Sequence, residues 1–215
     1  MTPQQASART AGICSLAPVI PVLVIEDAGS AADLARALIA GGLPVLEVTL
    51  RTPAAPAAIR AMAAVAGGIV GAGTLLTADD VQTARAAGAQ FGVSPGATPS
   101  LLATCEDAGL PLLPGAATAS EAMALLERGY AMQKFFPAEA TGGAAALRAL
   151  GGPLPQISFC PTGGITLESA PDYLRLGNCP CVGGSWVAPP ELIAAGDWET
   201  IRALAAEAAA LAGTL

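Results

Sequence analysis

Eight times along this 215-residue chain a short apolar run is followed by an Ala-rich stretch of helical character. The runs are VIPVLVI (19–25), PVLEVTL (44–50), IVGAG (69–73), FGVSP (91–95), LPLLPG (110–115), AMQKFFP (131–137), QISFCPTGG (156–164) and PCVGGSW (180–186). The stretches between them carry helix signals, such as Thr77 ahead of two acids and Thr118 three residues before Glu121, a capping box. Short strands alternating with helices demand a parallel sheet covered by those helices. Eight such units favour a closed (β/α)8 barrel over an open doubly wound sheet. At this length the barrel has short loops and no room for a second domain, so residues 1–215 are expected to form one barrel domain with a helical segment ahead of its first strand.

Composition narrows what such a barrel does. Hydrophobic residues make up 53% and charged residues 13%, against an ordinary charged share of roughly 25%, which excludes disorder. Ten basic residues against 17 acidic ones leave a net charge of −7. No basic footprint for nucleic acid or an anionic membrane is present. The first residues show no apolar core of a signal peptide, and no apolar run of about 20 residues suits a membrane span. Five Cys without CxxC spacing fit a cytoplasmic chain with reduced thiols. There is no His, so the commonest metal ligand and the commonest acid/base catalyst are both missing, and no metal or cofactor is expected.

One Lys remains in the whole sequence, Lys134, inside the apolar run Met-Gln-Lys-Phe-Phe-Pro. Period two places Met132, Lys134 and Phe136 on one face of that strand. Burying an amine disfavours its charged form, and a desolvated amine is the nucleophile that forms Schiff bases with carbonyl compounds. The plainer alternatives are a strand-end Lys reaching solvent, or a buried partner for Glu47. Glu47 shares a face with Val45, Thr49 and Arg51, while Leu46, Val48 and Leu50 form the helix-facing set, so Glu47 is expected to point into the barrel. A carboxylate there is either a general acid/base or half of a structural ion pair. Arg51 suits a substrate carboxylate, or is simply a solvated loop residue. Thr74 could add a hydroxyl to the same carboxylate or cap a helix. Gly163–Gly164 and Gly183–Gly184–Ser185 follow the last two strands, where barrels commonly hold phosphate on backbone N–H groups. The Cys residues read as small core hydrophobes.

The stretches PVIPVLVI, VLEVTLRT, GAGTLL, SPG, KFFPAEA, FCPTGGI and GGSWVAP together resemble the bacterial 2-keto-3-deoxy-6-phosphogluconate aldolases, which often also cleave 4-hydroxy-2-oxoglutarate. The resemblance runs in order from Pro18 to the C-terminal helix. It implies a homotrimeric barrel without metal that acts on a phosphorylated 2-keto acid. It implies that Lys134 forms the Schiff base and that Glu47 is the acid/base. Arg51 and Thr74 would bind the pyruvate moiety, and Thr162, Gly163, Gly164, Gly184 and Ser185 the phosphate and hydroxyls. Pro95 and Phe136 would line the pocket. The chain departs from the family mildly, with Ala-Thr-Gly-Gly after Glu139 where relatives often carry Asn, and with Arg in place of nearly all surface Lys. Two alternatives stand beside this reading. One is a related aldolase for the galactonate epimer or for unphosphorylated keto acids. The other is a non-catalytic phosphosugar-binding barrel.

A mean hydropathy of +0.57 is high for a solvated monomer of 21.1 kDa. It points to apolar outer faces that meet other subunits, unless Ala alone inflates the value.

Overall fold

A computed structural model describes residues 1–213; positions 214–215 of the expected domain lie outside the described residues. The Val, Ile and Leu of the short runs form parallel strands because a strand covered on both faces has no wet side. These are β1 (Val19–Leu23), β2 (Val45–Thr49), β3 (Ile69–Gly73), β4 (Phe91–Val93), β5 (Leu112–Leu113), β6 (Gly115–Ala116), β7 (Met132–Phe135), β8 (Ser158–Pro161) and β9 (Val182–Gly184). They run in the order β5-β4-β3-β2-β1-β9 and, separately, β6-β7-β8.

Two features join the parts into one barrel. Between β5 and β6 stands Pro114, which has no N–H for the ladder, so a single strand position is split in two. The Pro114 carbonyl still accepts from the Lys134 N–H at 2.9 Å, so β5 pairs with β4 and β6 with β7 without a gap in the wall. On the other side a parallel bridge between Thr162 and Gly183 links the chain after β8 to β9. A Cβ at Gly183 would overlap the Thr162 side chain, so this closure requires glycine.

Alternation along the strands divides the apolar residues into two shells. Ile20, Val45, Phe91, Val93, Leu113, Met132, Cys160 and Cys181 pack inside the barrel. Leu23, Leu46, Val48, Val70, Leu112, Phe135 and Phe159 belong to the layer shared with the helices. The helices are α1 (Pro3–Cys14), α2 (Ala31–Ala40), α3 (Ala55–Ala63), α4 (Ala78–Ala86), α5 (Pro99–Ala108), α6 (Ala119–Arg128), α7 (Gly143–Gly151), α8 (Ala170–Leu174), α9 (Pro190–Ala195) and α10 (Trp198–Ala209). The expected capping box at Thr118 and Glu121 is present, and Thr77 forms another with Asp80.

The elements differ from the sequence expectation in three places. The run 110–115 is two segments rather than one, for the reason given above. The stretch after β8 is helical only over α8, which carries Pro171 in its first turn; ahead of it lies a turn in which the backbone N–H groups of Thr166 and Ser169 each donate to the other's hydroxyl. The helix α9 was not foreseen; it starts on Pro190 and stops at Gly196 in the left-handed conformation.

The N-terminal segment is the helix α1, and it closes the lower end of the barrel. Its last residue, Cys14, joins the inner shell. Higher up the helix, the buried Ser7 hydroxyl accepts from the backbone N–H groups of Ala131 (2.9 Å) and Met132 (3.0 Å), at the start of β7. Each unsatisfied buried donor costs roughly 1–3 kcal/mol. The substitution Ser7→Ala is therefore expected to lower unfolding stability by about 2 kcal/mol, read from the urea midpoint at unchanged slope. A loss below about 0.5 kcal/mol would show that α1 is not tied to β7 through this hydroxyl.

Candidate active site

Register brings the two charged strand residues to one place. Glu47 of β2 and Lys134 of β7 both point inward by period two, and both are buried, at 3% and 5% exposure. Their side chains meet across the barrel with Nζ 3.4 Å from Oε1. The carboxylate fits only because β3 ends in glycine beside it: a Cβ at Gly73 would overlap the Glu47 oxygen. Burial pushes the Glu47 carboxyl above its ordinary value, while the Lys134 ammonium pulls it back down and Cys160 adds to the rise. The Phe136 ring lies beside the amine, its centroid 5.2 Å from Nζ. A buried amine beside one buried carboxylate is the pairing that imine chemistry uses, as nucleophile and proton carrier.

Arg51 follows β2 at the same end of the barrel. Its Nε donates to Thr74 Oγ1 at 3.3 Å. Thr74 holds φ of 62°, the only left-handed non-glycine residue among those described. Such a conformation is costly for a β-branched residue and persists where the surroundings impose it, most often at functional sites. The helix α4 is capped by Thr77, so Thr74 is not the cap that the sequence left open.

The glycine turns lie beside the pair. A cavity of about 210 Å³ is lined by Arg51, Phe136, Thr162, Gly163, Gly164, Gly183 and Ser185, with Val22, Val24 and Ile165 supplying apolar wall. Arg51 and Phe136 connect it to the Lys134–Glu47 pair. Two predicted residues sit elsewhere. Gly184 packs beneath the Trp186 ring and does not line the cavity, whereas its neighbour Gly183 does. Pro95 follows β4 with its carbonyl against Gly115, and it too is outside the cavity lining. A larger cavity, about 470 Å³ between α5 and α6, contains neither the charged pair nor the glycine turns.

Sequence reasoning did not single out Val22, Val24 or Gly73; Gly183 was singled out with the glycine turns, although the resemblance named only its neighbour Gly184. Period two from Ile20 would have found Val22 on the inner face of β1 and Val24 just beyond its end. The need for glycine at 73 depends on a carboxylate reaching across from β2, which no local pattern reveals. Below the pair, Cys14, Cys160 and Cys181 come together from α1, β8 and the residue just before β9. All five thiols are free and buried.

The sequence matches the family model described as KDPG and KHG aldolase over residues 11–204. It is 51% identical over 199 residues to a protein of Pseudoalteromonas atlantica named 2-dehydro-3-deoxy-phosphogluconate aldolase, covering 92% of this chain and 93% of that one. Among solved structures, it is similar to the 2-keto-3-deoxy-6-phosphogluconate aldolase of Zymomonas mobilis with 3-phosphoglycerate. The TM-score is 0.90 at 49% identity, over 95% of this chain and 97% of that chain. It is also similar to the KDPG aldolase of Legionella pneumophila with pyruvate captured at low pH as a covalent carbinolamine. There the TM-score is 0.89 at 45% identity, over 92% and 96% of the two chains. The chain belongs to the KDPG and KHG aldolase family.

Proposed function

We propose that this chain is a class I aldolase that cleaves 2-dehydro-3-deoxy-6-phosphogluconate to pyruvate and glyceraldehyde 3-phosphate, and also 4-hydroxy-2-oxoglutarate to pyruvate and glyoxylate. The observation that carries the reading is the sequence's one Lys, buried in the barrel 3.4 Å from a buried carboxylate. A non-catalytic sugar-binding barrel has no reason to bury that pair, because two desolvated charges are expensive to hold.

The steps follow from the placement. Neutral Lys134 attacks the C2 ketone. Glu47 relays protons as the carbinolamine forms and loses water, leaving a protonated imine. Glu47 then takes the proton of the C4 hydroxyl, the C3–C4 bond breaks, and its electron pair moves into the imine to give an enamine. The aldehyde leaves, Glu47 returns the proton to C3, and water releases pyruvate and the free amine. Arg51 binds the carboxylate of the pyruvate part, with the Thr74 hydroxyl beside it. The backbone at Gly163, Gly164 and Gly184, with the Thr162 and Ser185 hydroxyls, holds the phosphate end; Gly183 lies on the same wall. Phe136 packs over the reacting amine, and Pro95 supports the rim from β4. No step in this scheme calls for a metal or an organic cofactor.

The relative's carbinolamine with pyruvate and the neighbour's 3-phosphoglycerate support the two halves of this reading. We assign the whole of residues 1–215 to one catalytic domain that works in the cytoplasm. Among the described residues no helix is long and apolar enough to cross a membrane.

We assign the enzyme a homotrimeric form. Among the described residues, large apolar side chains stand exposed outside the cavity at Leu16 (51%) and Leu76 (58%), between elements, and at Met123 (49%) on α6. Exposed apolar area of this kind suits contact with equivalent subunits.

Two measurements follow. The substitution Glu47→Gln is expected to lower kcat by roughly 10²-fold. It also removes the acid limb of the kcat/KM profile. That limb lies above the ordinary carboxylate range in the unsubstituted chain, because burial raises the Glu47 pKa and activity falls as the pH drops through it. Arg51→Ala is expected instead to raise KM with kcat little changed, since it removes binding common to ground and transition states. A Glu47→Gln enzyme within a few-fold of the parent kcat would reduce Glu47 to an ion-pair partner. For assembly, light scattering at micromolar concentration should give about three times 21.1 kDa; an active monomer would refute the trimer.

A further inference from the structure

Beyond Lys134 the chain enters the 3₁₀ turn Glu139–Thr141. There the Ala138 N–H donates to the Thr162 carbonyl at 2.8 Å and the Glu139 N–H to the Gly163 carbonyl at 3.1 Å. These two bonds clamp the segment after β7 onto the glycine turn after β8. The stem of Glu139 is pressed against that turn: a Cβ at Gly164 would lie 2.9 Å from both Cβ and Cγ of Glu139. Gly163 and Gly164 hold φ of 105° and 80°, so the turn cannot adapt by accepting side chains of its own.

A carboxylate so close to an anion-binding turn would repel the anion unless it were held elsewhere. Glu139 is held. Its Oε1 accepts a 2.6 Å hydrogen bond from the Tyr173 hydroxyl. Tyr173 sits in α8, is 1% exposed, and lies close enough to Gly143 that a Cβ there would come within 3.3 Å of its hydroxyl oxygen. Burial first, and Glu139 next, push the phenol above its ordinary value, so it stays a donor.

We propose that Tyr173 is a positioning residue for substrate phosphate: its hydrogen bond ties the Glu139 carboxylate to α8 and so sets the Gly163–Gly164 turn to receive the anion. Tyr173 does not touch the reacting atoms. This inference rests on the reading of that turn as the phosphate site.

The test separates a phosphate effect from a general one. Steady-state rates are measured with the phosphorylated six-carbon substrate. Inorganic phosphate serves as a competitive probe, and half-saturation by pyruvate as the phosphate-free reference. Tyr173→Phe keeps the ring and removes the donor. It is expected to raise KM for the phosphorylated substrate about tenfold and to weaken inhibition by inorganic phosphate by a similar factor, the loss typical of a hydrogen bond to a charged group. The kcat and the half-saturating pyruvate concentration stay within about twofold of the parent. Glu139→Gln still accepts from the phenol and carries no charge, so its KM stays within about threefold. Glu139→Ala breaks the same bond from the other side and is expected to reproduce the Tyr173→Phe split, so the question stays answerable if Tyr173→Phe fails to fold. An equal rise for pyruvate and for the phosphorylated substrate, or no rise in either, would overturn the positioning role. If inorganic phosphate does not compete in the unsubstituted chain, the phosphate reading of the turn falls, and this inference with it. Normal competition there with an unaltered Tyr173→Phe removes this inference alone.

Discussion

The structure depends on one contact, the buried approach of Lys134 to Glu47. Two groups that prefer water sit at 5% and 3% exposure, 3.4 Å apart, inside a barrel whose interior is largely apolar. Removing one member of such a pair leaves an uncompensated buried charge, and keeping both gives little net stability. The surroundings are adjusted to keep it. Gly73 leaves room for the carboxylate, Phe136 shields the amine, and the carbonyl of Pro114 receives the Lys134 N–H where the neighbouring strand is split. The same desolvation that raises the Glu47 pKa makes it a better proton donor and acceptor pair for this chemistry than an ordinary exposed carboxylate.

Around that contact the barrel divides its labour by height. The helix α1 and the thiols Cys14, Cys160 and Cys181 fill the lower interior. The pair stands above them, and the mouth carries Arg51, Thr74 and the glycine turns. The mouth also concentrates the unusual backbone, with Thr74 at φ 62° and Gly163 and Gly164 in the left-handed region. Rigid strands below and irregular loops above are what lets a barrel hold reacting groups in place while its rim is shaped for a substrate.

Much of this was legible in the sequence, for physical reasons. Eight strand–helix units and period two within strands are local signals, and they placed Val45, Glu47, Met132 and Lys134 on the inner face. The sole Lys stood out because nothing else in the chain could supply a side-chain amine. What was not legible depends on contacts between segments distant in sequence. Gly73 matters because of Glu47, 26 positions earlier. Gly183 rather than Gly184 lines the cavity because Trp186 folds over the second glycine. Thr74 reads as a possible helix cap until its backbone is seen to turn the other way and Arg51 to bond it. The bond between Tyr173 and Glu139 spans 34 positions and belongs to no motif.

The central claim is that Lys134 forms a covalent imine with a 2-keto acid, and the composition of the chain permits a direct test. The only other amine is the N-terminus, which donates to the Glu106 carbonyl at 2.9 Å and belongs to the N-terminal peptide, separate from the peptide of β7. Pyruvate is added with borohydride, and the intact mass and peptide map are recorded. The account predicts one reduced pyruvate adduct per chain, in the peptide that contains Gln133 to Phe136, and none after Lys134→Arg. An unchanged mass in the active, unsubstituted protein, or an adduct confined to the N-terminus, would contradict it.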